Sequence, residues 1–190
     1  MKGKVILNWL PLVAIALLGG LALRQWQPGA ILNGRPQSEY YQVLRVSDGD
    51  TIAVRANGKE DKIRFCGIDA PEVGHGDKPG QPFGEESREK LRSLISAAGN
   101  QVIVYPAERD RYGRLVAEVF VSAGKGTEEE KLLNYEMVRA GMAYHYAKYS
   151  DRCPNGKEFL VQAEQEAQAK RLGVWSGSYQ KPWDFRKAQR

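Results

Sequence analysis

The eleven residues Lys62-Ile63-Arg64-Phe65-Cys66-Gly67-Ile68-Asp69-Ala70-Pro71-Glu72 hold an arginine, an aspartate and a glutamate where an alternating segment runs into a turn. Ile63 and Phe65 alternate with Arg64, so a half-buried strand sends the apolar pair to one face and the guanidinium to the other. Pro71 ends that strand and fixes the backbone that carries Glu72. Upstream, Ser47-Asp48-Gly49-Asp50-Thr51 forms a tight acidic turn. Downstream, Asp110-Arg111-Tyr112-Gly113-Arg114 brings a second arginine after another turn. Two arginines, one glutamate and a separate pair of aspartates are the parts needed to hold a phosphodiester, bind a hard cation and activate water.

The chain has 190 residues, enough for one ordinary domain with extensions. An apolar fraction of 42% beside 27% charged residues belongs to a folded domain and excludes a disordered one. The net charge of +5 suits a polyanionic partner, although simple solubility explains it equally well. The two histidines, His75 and His145, argue against a histidine base or a His/Cys zinc cage. Cys66 and Cys153 lack metal-ligand or redox spacing. They are buried thiols in a cytosolic protein or a disulfide in an exported one, and both readings stay open here. Lys2 and Lys4 precede an apolar run from Val5 to Leu23 that includes small residues near its end, the pattern of an export signal. The run also has the length of an uncleaved membrane anchor. Residues 1–23 are therefore expected to be a signal peptide or an N-terminal anchor, and the protein secreted, periplasmic or tethered to the membrane.

Residues 24–38, with Pro28, Gly29, Gly34 and Pro36, read as a linker. A folded domain is expected over 39–178 and a tail over 179–190. Tyr41–Val46, Thr51–Arg55 and Lys62–Cys66 read as successive antiparallel strands, the last two joined by the hairpin dipeptide Asn57-Gly58. A helix is predicted from Glu85 to Ala98, then strands over Gln101–Tyr105 and Leu115–Val121. Thr127-Glu128-Glu129-Glu130 reads as a capping box opening a second helix that stops at Gly141. A third helix is predicted over Lys157–Leu172. Five short strands with three α-helices inserted and appended imply an α+β fold, a closed barrel of the oligonucleotide/oligosaccharide-binding (OB) type.

Asp48-Gly49-Asp50-Thr51, Arg64 through Glu72, and Asp110-Arg111-Tyr112-Gly113-Arg114 resemble, in order and spacing, the three signature segments of staphylococcal nuclease-like thermonucleases. Gly173-Val174-Trp175 after the last helix extends the match, which covers about Tyr40 to Trp175. The resemblance implies a calcium-dependent, sequence-nonspecific nuclease that cuts DNA and RNA and leaves 3′-phosphate ends. The expected partners are DNA and RNA, single strands preferred because aromatic faces beside basic groups suit unpaired bases, and the expected state is a monomer. The resemblance also implies Ca2+ on Asp50, Asp69 and the backbone carbonyl of Ala70. The family usually has threonine at that last position; a carbonyl survives the change and a side-chain hydrogen bond does not. So few charged ligands make a weak site, suited to a calcium-rich exterior. Asp48 is either an outer carboxylate of the cation site or a turn former. Glu72 becomes the general base, or the group orienting the attacking water. Arg64 and Arg114 become the phosphate clamp, with salt bridges to Asp69 or Asp110 as the competing structural role. Arg111, Tyr112 and Tyr149 become substrate contacts. Tyr144 and Tyr146, near His145 and Lys148, either stack on bases or pack in the core. The alternative is a non-catalytic OB-fold module that binds single-stranded nucleic acid or protein. Trp183 and Arg186, beyond the matched region, carry no assigned role.

Overall fold

The computed structural model describes residues 38–124, 129–155 and 157–189; the leader, anchor and linker expectations for 1–37 lie outside them. Strand β1 (Glu39–Val46), β2 (Thr51–Ala56) and β3 (Lys59–Phe65) form an antiparallel meander. Asn57 and Gly58 both take positive φ, at 49° and 76°, as a two-residue hairpin turn requires. Then follow the two-residue strand β4 (Ile68–Asp69), helix α1 (Gly84–Ala97), β5 (Gln101–Arg109) and β6 (Leu115–Ser122). The order is β3-β2-β1-β5-β6, and β3 pairs in parallel with β6 through Ile63↔Leu115 and Phe65↔Ala117, closing a five-stranded barrel. Closure leaves these five strands no long free edge.

The expected course of the second helix is corrected. Glu130–Leu132 is a strand, β7, paired with β6 through Val121↔Lys131, and the second helix, α2, spans only Leu133–Arg139. The neighbouring strand offers main-chain partners to Glu130–Leu132, and that pairing overrides the local helix-start signal. Thr127 and Glu128 of the expected capping box lie outside the described residues. Gly141 ends the helical region at φ 68°, as predicted. Next come β8 (Tyr144–His145), paired to β4 through Asp69↔Tyr144, and the single turn α3 (Ala147–Ser150). Helix α4 (Glu158–Ala169) stops short of Leu172 because Arg171 and Gly173 both take positive φ. A 3-10 turn at Gly173–Trp175 leads to α5 (Pro182–Ala188), a helix the sequence reading does not contain.

The barrel interior is filled by Ile52, Val54, Ile63, Phe65, Val102, Val104 and Val119, and is closed by Leu91, Met137 and Leu160 from the helices. Each such side chain, fully buried, contributes about 1.5–3 kcal/mol. The core therefore anchors the C-terminal half of β3 through Ile63 and Phe65, which flank Arg64. Cys66 and Cys153 form a disulfide that closes an 87-residue separation and ties the chain after α3 to the end of β3.

Candidate active site

Local backbone geometry explains why the acidic groups converge. In the turn before β2, Asp48 Oδ1 accepts the Asp50 N–H at 2.9 Å, the self-bonding expected of an aspartate turn. That bond turns Asp50 inward, where its carboxylate is fully buried. Oδ2 accepts the Ala70 N–H at 2.6 Å and Oδ1 accepts the Thr51 hydroxyl at 3.0 Å. Gly67, at φ 71°, makes the tight corner from β3 into β4, and a Cβ there would sit 2.7 Å from Leu160. The corner points Asp69, also fully buried, back toward Asp50. Arg64 lies between the two aspartates and pairs with Asp50 through one guanidinium nitrogen and with Asp69 through the other. Buried carboxylates require such compensation.

Glu72 is clamped by its main chain. Gln81 Oε1 accepts the Glu72 N–H at 3.1 Å, and the Glu72 carbonyl accepts the Gln81 N–H at 2.8 Å. Gly84 opens α1 against that carbonyl so closely that a Cβ would stand 2.4 Å from it. The half-buried Glu72 carboxylate meets a third arginine, Arg186 of α5, at 2.5 Å. Arg186 also reaches Asp69 Oδ1 at 3.0 Å and Oδ2 at 2.7 Å. Burial works against its charge, but Asp69 and Glu72 prevail and hold the guanidinium pKa above its ordinary value.

Arg114 has a different partner. Its Nε donates to Asp110 Oδ2 at 2.8 Å, and Asp110 Oδ1 accepts the main-chain N–H groups of Tyr112 and Arg114 at 2.9 and 3.0 Å. Burial opposes the Asp110 charge, and the Arg114 bonds overcome it and lower the carboxyl pKa. Burial raises the Asp48 pKa, and the charges of Arg64 and Arg114 both oppose that rise. The structure thus brings together Asp50, Arg64, Asp69 and Glu72, with Asp48 and Arg114 at the margin. For Ala70 it shows the N–H on Asp50. Arg64 and Arg114 also occupy the salt-bridge roles considered as their structural alternative.

Of the expected substrate contacts, Tyr112 is exposed, with the Arg111 guanidinium 4.8 Å and that of Arg114 5.6 Å from its ring centre. Tyr149 is exposed too, edge-on to Tyr146 at 4.9 Å. Tyr144 is a core residue, packed edge-on against Trp175 at 5.2 Å. Arg186 and Trp183 escaped sequence reasoning. The available signal was Pro182 at a helix start, with Trp183 and Arg186 three apart on one helical face.

Among the described residues, no three His, Cys, Asp or Glu side chains gather as a metal-holding group. The carboxylates that do converge, Asp50 and Asp69, are hard oxygen donors and fit calcium rather than zinc. Their burial around guanidinium groups shows that the cluster requires positive charge.

The protein is thus a closed OB-type barrel bearing buried carboxylates and convergent guanidiniums, and planar guanidinium forks are suited to phosphate. Comparison with known proteins agrees. The family model described as "Staphylococcal nuclease homologue" matches residues 62–177. A micrococcal nuclease of Shigella flexneri is 36% identical over 152 residues, 78% of this chain and 81% of that protein. A thermonuclease of Staphylococcus hyicus is 34% identical over 136 residues, 72% of this chain and 75% of its own length. An uncharacterized endonuclease of Escherichia coli O157:H7 is 36% identical over 146 residues, 76% and 83% respectively. The chain belongs to the staphylococcal nuclease family, and is a nuclease acting on nucleic acid.

Proposed function

We propose that the protein is a calcium-dependent, sequence-nonspecific endonuclease that hydrolyses DNA and RNA to 3′-phosphate and 5′-hydroxyl ends. The observation that carries this reading is one cluster in which Arg64 joins the buried Asp50 and Asp69 and Arg186 joins Asp69 to the half-buried Glu72. Asp50, Asp69 and the Ala70 carbonyl would hold the ion, with Asp48 outside them. When bound, calcium supplies Lewis-acid polarisation of the phosphate.

The remaining chemistry belongs to the chain. Glu72 accepts a proton from the attacking water, whose oxygen bonds to phosphorus as the P–O5′ bond breaks and the 5′ oxygen takes up a proton. Arg64 and Arg114 donate planar forks to the nonbridging oxygens as negative charge gathers there. Arg114 leaves Asp110 to do so, and the short turn keeps it within reach. Tyr112 and Tyr149 offer faces to unpaired bases, which favours single strands. Export is part of the proposal, supported by the basic-apolar leader and by a disulfide that persists only in an oxidising compartment.

Digestion of plasmid, single-stranded DNA and RNA, with calcium or with a chelator, tests the reading. Cleavage should require calcium and yield 3′-phosphate ends. Undiminished cutting in chelator would overturn the cation assignment.

A further inference from the structure

Helix α5 delivers Arg186 to the cluster along a segment fastened at several points. The Tyr179 ring meets Phe83 edge-on at 5.2 Å, and the Gln180 carbonyl accepts the Gln81 side-chain N–H at 2.8 Å. Lys181 Nζ lies 3.7 Å from the Tyr144 ring centre and 4.0 Å from that of Trp175. Trp183 lies flat on Tyr146, 4.8 Å away and tilted by 8°. Such cation–π and stacking contacts hold the segment whether or not Arg186 has a partner. Gln81 joins the two halves: its amide oxygen accepts from Glu72 and its amide nitrogen donates to Gln180.

The Arg186 guanidinium covers both oxygens of the fully buried Asp69 and one oxygen of Glu72. Asp69 Oδ1 accepts from both Arg64 and Arg186 and Oδ2 from Arg186, so both Asp69 oxygens already accept from guanidinium. A divalent cation on Asp69 needs an oxygen lone pair and brings two positive charges beside Arg186. Both requirements work against the Arg186–Asp69 contact.

We propose that Arg186 is a built-in counter-cation of the acidic cluster, a positioning residue that holds Asp69 and Glu72 together until a divalent cation displaces it from Asp69. The inference rests on the reading of Asp50 and Asp69 as cation ligands. Linkage makes it reciprocal: whatever calcium loses by displacing Arg186, the end of α5 loses when calcium binds.

Calcium titration of the full chain by calorimetry, paired with thermal unfolding, tests the proposal on wild type, Arg186→Gln, Arg186→Lys, Lys181→Ala and Asp50→Asn. Arg186→Gln should bind calcium about tenfold more tightly, within the usual range of coupling between sites. Its calcium-free form should melt lower, so its gain in Tm with calcium exceeds that of wild type. Arg186→Lys keeps the charge and should stay within about twofold of wild type by the same linkage. Lys181→Ala touches no member of the cluster; by loosening the segment it should tighten calcium in the same direction, and it serves if Arg186→Gln fails to fold. Loss of binding in Asp50→Asn supports the cation reading itself. Asp50-dependent binding that Arg186→Gln leaves equal or weaker overturns the counter-cation alone. Absence of calcium binding in wild type and every variant overturns both.

Discussion

Reduction of the Cys66–Cys153 disulfide should lower thermal stability by about 10–15 °C and weaken substrate binding more than turnover. The magnitude follows from topology. The bridge spans 87 residues, from the end of β3 to the chain after α3. In the chain-entropy treatment, a loop of that length restricts the unfolded ensemble by about 4–5 kcal/mol. A domain of this size shifts by about 2–4 °C per kcal/mol. The functional consequence follows from what the bridge holds. Cys153 secures the segment carrying Tyr146 and Tyr149, whereas Asp50 and Arg64 are held by the barrel itself. Circular dichroism melts with and without a phosphine reductant, with a Cys66→Ala/Cys153→Ala variant as the control for the reductant, give the shift. Steady-state kinetics on single-stranded DNA should show KM rising while kcat changes little. A fall in Tm below about 3 °C would refute the entropic argument. A loss confined to kcat would show that the bridge positions the carboxylates rather than the tyrosines.

Arg64→Ala should cut kcat by about 10²–10³-fold, and Arg64→Lys should recover little of it, since an ammonium lacks the planar fork. The stopped assay is read with calcium saturating, because the variant leaves two buried aspartates short of a counter-charge. Tyr149→Ala should raise KM for single-stranded DNA by about 5–100-fold, the equivalent of one stacked base, with kcat nearly unchanged. Burial holds the His145 pKa below its ordinary value, with Glu164 opposing, and its ring bonds Ser150 at 2.9 Å. The unfolded chain therefore takes up this proton first. The stability involved is fully present above the unfolded value of about 6.5 and is lost as pH falls through the lower folded value. Chemical denaturation between pH 7.5 and 5 should give a shallower decline for His145→Gln than for wild type; parallel slopes would contradict this assignment.

Much of this molecule is legible one segment at a time. The Ile63/Phe65 alternation, the Asn57-Gly58 hairpin and the stop at Gly141 are short-range consequences of pleat, positive φ and chain sterics. They report the barrel and the side of β3 on which Arg64 lies. Asp48, Asp50, Asp69 and Glu72 are legible for the same reason, since each sits in or beside a turn whose residues name its geometry. Failures came where distant partners compete with local preference. Glu130–Leu132 looks helical and is a strand because β6 offers it main-chain partners. The pairing of Cys66 with Cys153 needs a distance that no spacing encodes.

From the order of amino acids alone came the strand meander, the acidic turns, the arginines beside them, and the family. Tertiary packing alone determined which charge answers which. Arg64 sits between Asp50 and Asp69, Arg114 turns to Asp110, and Arg186 arrives from more than a hundred residues away because Lys181 and Trp183 find aromatic rings to rest on. Local sequence restricts φ and ψ and therefore writes turns, whereas electrostatic partnership depends on where the whole chain places each group in a dry, low-dielectric interior.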